Sequence, residues 1–218
     1  MLKVEIWSDI VCPFCYMGKR RFEQGLAQSG LQDTVSIEWK SFQLAPDLKG
    51  SREKSLNQFL AEHKQISLAE AEKMNAHVTK MALQDNLAYR LDIAVAANSF
   101  DAHRLLHAAK SFGLQNELKE ALLAGYFTKG LNLEDHEQLL RISTDCGIPQ
   151  PDVLEVLQST MYADDVREDI DLATANGIHA VPFFVVNRKY AISGAQPPEV
   201  FQETLQKVSA ESNQENPL

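Results

Sequence analysis

Trp7-Ser8-Asp9-Ile10-Val11-Cys12-Pro13-Phe14-Cys15-Tyr16-Met17-Gly18 is the stretch that decides how this chain is read. Before it, Leu2, Val4 and Ile6 alternate with Lys3, Glu5 and Trp7, the period-2 pattern of a strand. After it, Phe22, Leu26 and Ala27 recur at helical spacing. Between the two lies a Cys-x-x-Cys pair. Residues three apart at a helix start share one face, which brings their Cα atoms into the ~4.4–6.8 Å range that a disulfide bridges. Cys12 takes the N-cap and Pro13 the first helical position, where the missing N–H costs nothing. The helix terminus carries roughly half a positive charge and favours a thiolate at Cys12. Cys12 is therefore expected to be the attacking thiol and the more buried Cys15 the resolving one, with Pro13 and Phe14 supporting them.

Other readings of the pair are weaker. A structural zinc site takes four ligands, and the chain has one further cysteine, Cys146, and no second pair. No metal is expected. So sparse a use of cysteine also argues against a structural disulfide.

The chain has 218 residues, 44% of them hydrophobic, and a net charge of −9. That length suits one large domain, or one domain carrying an insertion. The acidic balance makes nucleic acid a poor partner. The short basic run Lys19-Arg20-Arg21 reads as a solvated helix face. No apolar run approaches the ~18–20 residues of a membrane span, and the N-terminus opens on a strand rather than a signal stretch. A cytoplasmic protein without a membrane partner is expected. There most thiols stay reduced, and a Cys-x-x-Cys is more often catalytic than structural.

Helix Pro13 to Gln28 should stop at Ser29-Gly30, and Val35 to Lys40 alternates as a second strand. Strand, helix, strand makes one parallel βαβ unit. From Ser51 to Asn176 the chain reads as helical throughout. Segments are expected over Asn57–Lys64, from the capping box Ser67–Glu70 to Gln84, over Ile93–Phe112, Leu114–Lys129, Glu134–Cys146 and Val153–Leu157, and over Ala163–Asn176. Ala180–Val186 and Tyr190–Ser193 then read as strands joined by an Asn187-Arg188-Lys189 turn. A last helix follows Gln196-Pro197-Pro198. The expected parts are 1–50 (βαβ), 51–176 (helical insertion), 177–210 (ββα) and a polar tail over 211–218.

This order resembles the thioredoxin fold with a helical insertion, as in the DsbA family, and most of all its FrnE-like dithiol–disulfide oxidoreductases. Three motifs carry the likeness: Ser8 to Gly18, Asn98-Ser-Phe-Asp-Ala-His-Arg104, and Gly177-Ile-His-Ala-Val-Pro-Phe-Phe184. The resemblance implies an α/β fold with a four-stranded mixed sheet ordered 2-1-3-4, its last two strands antiparallel to its first two. It also implies a cis Val181–Pro182 bond facing the cysteines, where the Val181 backbone can pair with an extended substrate. From the residues alone, a trans proline opening a strand is the commoner arrangement.

By the same resemblance, the helix carrying Asn98, Asp101, His103 and Arg104 covers the cleft over Cys12, and these residues become candidates for substrate binding; Asp9, three residues before Cys12, is a further candidate, placed to tune the acidity of that thiol. Their plainer readings are helix capping for Asn98 and Asp101, hydrogen-bonded core positions for His103 and His107, and a loop cap for Asp9. Cys146 reads as a buried, inert thiol.

The expected activity is thiol–disulfide exchange with protein or peptide partners. It needs no cofactor beyond the Cys12–Cys15 disulfide itself. The alternative is a glutathione-dependent isomerase or transferase acting on a small molecule, with glutathione as co-substrate, as in the related 2-hydroxychromene-2-carboxylate isomerases and kappa-class transferases. Because Phe14 adds no charge beside the thiolate, the Cys12 pKa should fall less far than to the ~3.5 of DsbA.

Overall fold

The structure is a computed structural model that describes residues 1–48 and 54–215. The boundary expected at 50/51 and the last three residues of the tail lie outside the described residues. Two compact units divide the chain. One is Met1–Phe42 with Asp169–Leu218, the other Gln43–Glu168. The second cut precedes the expected 176/177 boundary because Asp169 is tied to the sheet. Its carboxylate accepts the Ser41 N–H at 2.9 Å and binds Lys40 Nζ at 2.9 Å. Its carbonyl accepts the Trp7 indole N–H at 3.0 Å.

In the first unit β1 (Leu2–Ser8) leads into α1 (Pro13–Ser29) and β2 (Val35–Ser41). β1 and β2 pair in parallel, Leu2 opposite Val35 through Ser8 opposite Ser41. The sheet order is 2-1-3-4, as the resemblance implies. β3 (Phe183–Val186) runs antiparallel to β1, and β4 (Tyr190–Ser193) antiparallel to β3. Only β3 therefore opposes the first two strands. The tight hairpin returns β4 to the sense of β1, which corrects the expectation that both late strands run against the early pair. Pro182 does not open β3 but stands just before it.

One sheet face and two helices make the main core. Val4, Ile6, Trp39, Phe184 and Ile192 meet Phe22 and Leu26 of α1 and, from the closing helix, Phe201, Leu205 and Val208. The Phe22, Phe184 and Phe201 rings lie 4.7–5.7 Å apart by centroid, and each such pair adds about 0.5–1.5 kcal/mol beyond its buried area. The opposite face is also covered. Trp7 packs there with Ala173 and Ile178, and Glu5 is buried. The clean in–out alternation expected of β1 is absent because this central strand has both faces occupied. The basic run on α1 is not a solvated face either. Lys19 is buried with Nζ 2.5 Å from Glu23, Arg20 bonds Glu23 and Tyr16, and Arg21 donates to the Ala195 carbonyl.

The second unit is helical. Its helices are α2 (Leu56–Lys64), α3 (Leu68–Leu83), α4 (Phe100–Ser111), α5 (Gln115–Lys129), α6 (His136–Asp145) and α7 (Gln150–Gln158). α8 (Ala163–Ala175) begins in this unit and ends in the sheet unit, and α9 (Pro198–Glu215) closes the chain. The capping box at Ser67 and Glu70 forms as expected. The main departure is at α4, which starts at Phe100 rather than Ile93. The carbonyls that would begin the helix are used elsewhere: that of Ala94 accepts from the Leu56 N–H, and that of Val95 from the Tyr126 hydroxyl at 3.0 Å. α9 also runs to Glu215, through much of the expected polar tail.

α1 and α9 approach closely because residue 25 is glycine. A Cβ there would lie 2.4 Å from the Pro198 carbonyl and 2.7 Å from Phe201 Cβ. Replacing Gly25 with leucine is expected to lower unfolding stability by about 1–3 kcal/mol, the usual cost of overpacking. A shifted urea midpoint, read by circular dichroism, checks this.

Candidate active site

The site is built where β1 ends and α1 begins. Asp9 is fully buried, and its carbonyl accepts the Cys12 N–H at 3.3 Å. Its carboxylate lies 3.4 Å from the Val11 N–H. Asp9 thus ties the loop that delivers Cys12, the loop-cap reading. Cys12 holds the N-cap in extended conformation, with Pro13 beside it in the first turn. The Cys15 N–H bonds the Cys12 carbonyl at 3.0 Å, closing that turn.

Cys12 and Cys15 are both buried thiols, joined by a hydrogen bond between their side chains rather than by a disulfide. The Cys12 side chain makes no capping bond to the helix. Its S–H instead donates to the Val181 carbonyl at 3.5 Å. The Val181–Pro182 peptide is cis, as the resemblance implies. Phe14 is 39% exposed, so the gap presents one apolar side chain to solvent beside a buried sulfur.

Gly18, quoted in the motif but given no task, proves to matter. A Cβ on it would stand 2.7 Å from Pro182 Cγ. Only glycine lets α1 lie this close to the proline ring. Its one signal in the sequence is a small residue one helical turn beyond Cys15.

The other candidates belong to the helical unit. Asn98 spends its whole amide on local structure. Its oxygen accepts from Gln43 and from the Phe100 N–H, and its nitrogen donates to the Pro46 and Leu48 carbonyls. Arg104 is buried and clamps two segments: it bonds the carbonyls of Met161, Val156 and Ser159, and Asp101 at 2.8 Å. Asp101 also meets His136 Nε2 at 2.9 Å, a partner the sequence did not suggest. His103 is buried in α4. These arrangements are those of capping and core residues. Asn98 and Asp101 nevertheless line a cavity of about 270 Å³ with Gln43, Phe100 and Glu134. Among the described residues no group of three or more His, Cys, Asp or Glu side chains could hold a metal, and no helix is long and apolar enough to cross a membrane.

A profile of the DsbA-like thioredoxin domain matches residues 3–206. The chain belongs to the DsbA-like thioredoxin family. It is similar to a probable DsbA oxidoreductase from Streptomyces coelicolor, at 36% identity and a TM-score of 0.89 over 97% of this chain and 91% of that one. An uncharacterized protein of Bacillus subtilis, YwbO, is 24% identical over 93% of this chain and 94% of its own. A 2-hydroxychromene-2-carboxylate isomerase shares the fold at 12% identity and a TM-score of 0.70, over 98% and 99% of the two chains.

In this DsbA-like protein two influences meet at Cys12. The helix terminus favours a thiolate by about 0.3–2 kcal/mol. Against it, the hydrogen bond with Cys15, burial, and the charges of Cys15 and Asp9 push the Cys12 thiol well above the usual thiol range. Burial alone can cost an ionising group up to about 4–7 kcal/mol. Two sulfurs in contact titrate as a coupled pair, in macroscopic steps that belong to the pair rather than to either cysteine. The expectation of a simply lowered Cys12 pKa gives way to this coupled pair. Cys146 is half-exposed at the C-cap of α6 rather than buried, and partial burial, followed by Asp145 and Glu117, raises its thiol too.

Thiolate absorbance of the reduced chain should therefore rise in separate steps for the pair, the last well above the usual range, and Cys15→Ala should remove that last step. A single unsplit rise would contradict the coupling. In the helical unit, Arg104→Leu should cost about 3–5 kcal/mol, since it strands three carbonyls and Asp101. Thermal unfolding reads that loss.

Proposed function

We propose that this protein is a thiol–disulfide oxidoreductase and isomerase that exchanges disulfides with protein or peptide thiols through Cys12 and Cys15. The observation that carries the reading is the hydrogen-bonded sulfur pair at the start of α1, with Cys12 Sγ against the Val181 carbonyl. The Cys12 thiolate attacks one sulfur of a substrate disulfide and expels the other as a thiolate, giving a mixed disulfide. Cys15 then attacks Cys12 Sγ, releasing the second substrate thiol and leaving the Cys12–Cys15 disulfide. The substrate gains two electrons and the protein loses them. Run backwards, the same steps oxidise a dithiol.

Cys15 is fully buried, so bulk thiols do not reach it while Cys12 is within contact. That is what a resolving cysteine needs. The exposed Phe14 offers an apolar contact, and the Val181 backbone an edge for an extended chain. A pair that parts with its second proton reluctantly is a milder oxidant than one built around a strongly stabilised thiolate. Such a pair suits reduction or shuffling among FrnE-like proteins of the cytoplasm, where a reduced pool regenerates the thiols.

The glutathione reading has the isomerase-like fold in its favour, but that chemistry needs one sulfur, and the contact between two favours the dithiol. Assays of insulin reduction and scrambled-ribonuclease refolding separate the readings. Cys12→Ser should abolish both activities, and Cys15→Ser should accumulate mixed disulfides visible by non-reducing electrophoresis. Isomerisation or conjugation with glutathione that survives Cys15→Ser, with neither protein assay active, would overturn the dithiol reading.

A further inference from the structure

Lys3, Glu5 and Trp7 share one face of β1, and Glu5 stands opposite Val185 of β3. The Glu5 side chain is 5% exposed, a carboxylate almost wholly withdrawn from water. Charged groups so placed are held by close bonds of about 2.7–2.9 Å. Its ion pairs among the described residues are longer: Lys3 Nζ at 3.3 Å and Arg188 Nε at 3.5 Å.

Arg188 is itself unusual. Within the three-residue loop between β3 and β4 it is the second central residue of the β-turn Val186–Lys189, which the Lys189 N–H closes on the Val186 carbonyl at 3.0 Å, and its φ is +54° after Asn187 at +49°. Such turns favour Asn-Gly, because both positions need left-handed backbone. A long cation at the position suited to glycine goes against local preference, and such departures gather at functional places. Its side chain is 80% exposed, and among the described residues Glu5 is its one ion-pair partner. With Nε turned to Glu5, the two terminal nitrogens remain as a planar fork.

Beside this pair lies a cavity of about 430 Å³, walled by Leu172, Phe183, Val185 and Ala191. That volume falls in the ~300–1,000 Å³ range of small-molecule sites. None of Cys12, Cys15, Val181 or Pro182 lines it.

We propose that this cavity binds a small organic carboxylate with an apolar or aryl body. The body lies on the apolar walls, and the carboxylate takes the Arg188 fork in a bidentate pair, the geometry that distinguishes arginine from lysine. Glu5 acts as the positioning residue: its buried charge holds the guanidinium at the cavity and excludes a second anion from its own side. An ammonium ligand of the same shape would have to displace Arg188 and is disfavoured. The proposal does not depend on the redox reading.

Calorimetric titration of the full chain with phenylbutyrate and with phenylbutylamine tests it. Saturable binding is expected for the carboxylate and not for the amine. Arg188→Gln should weaken binding by about tenfold or more. Arg188→Gly should do the same, and because glycine relaxes the positive φ, that loss cannot be blamed on misfolding. Ala191→Trp should close the groove while leaving Arg188 in place. Equal binding of the amine, unchanged affinity in either Arg188 variant, or no saturation by the carboxylate would overturn the proposal. Exchange of Cys12 with a small disulfide reagent should be the same in all variants, which separates a failure here from a failure of the dithiol reading.

Discussion

The contact between Cys12 Sγ and the Val181 carbonyl is the constraint to which the sheet unit answers. The two groups are 169 positions apart in sequence. They meet because β1 and β3 are neighbours in one sheet, and because each strand is followed or preceded by a segment with no freedom to wander. On one side Asp9 ties the loop to Cys12. On the other Pro182 sits against Gly18, where any side chain would intrude. The Cys12 sulfur therefore sits between Cys15 on its own helix and Val181 from the far end of the chain, each fixed by a different segment.

The helical unit has its own logic. Asn98 and Arg104 look in sequence like groups waiting for a ligand, since both are polar and sit at the start of an amphipathic helix. In the fold they are consumed by main-chain carbonyls at or beyond helix ends: Pro46 and Leu48 for one, Val156 in the last turn of α7, Ser159 and Met161 for the other. A unit whose connecting segments curve away from helix geometry leaves many carbonyls without internal partners. Long or branched donors in its interior are the general answer.

What could be read from residues alone was whatever depends on near neighbours. The starts of β1 and β2, both ends of β4, the capping box at Ser67 and the left-handed stop at Gly30 all rest on a few consecutive side chains. What could not be read depends on distant ones. α4 begins late because Tyr126, on another helix, takes the Val95 carbonyl. Glu5 is buried because α8 returns to a face that period-2 counting assigns to solvent. Lys19 disappears from the surface for a similar reason of packing. The cis bond at Pro182 was accessible only through likeness to other proteins, since most such bonds are trans.

The placement of aromatic residues has a practical consequence. Both tryptophans of the chain, Trp7 and Trp39, lie on strands of the sheet unit, and both are buried there. The helical unit contains none. Indole emission will therefore follow the melting of one unit and be blind to the other, whereas helical ellipticity is weighted toward the second. Should the two curves fail to superimpose, the chain has come apart in stages, and a single midpoint temperature would describe neither half.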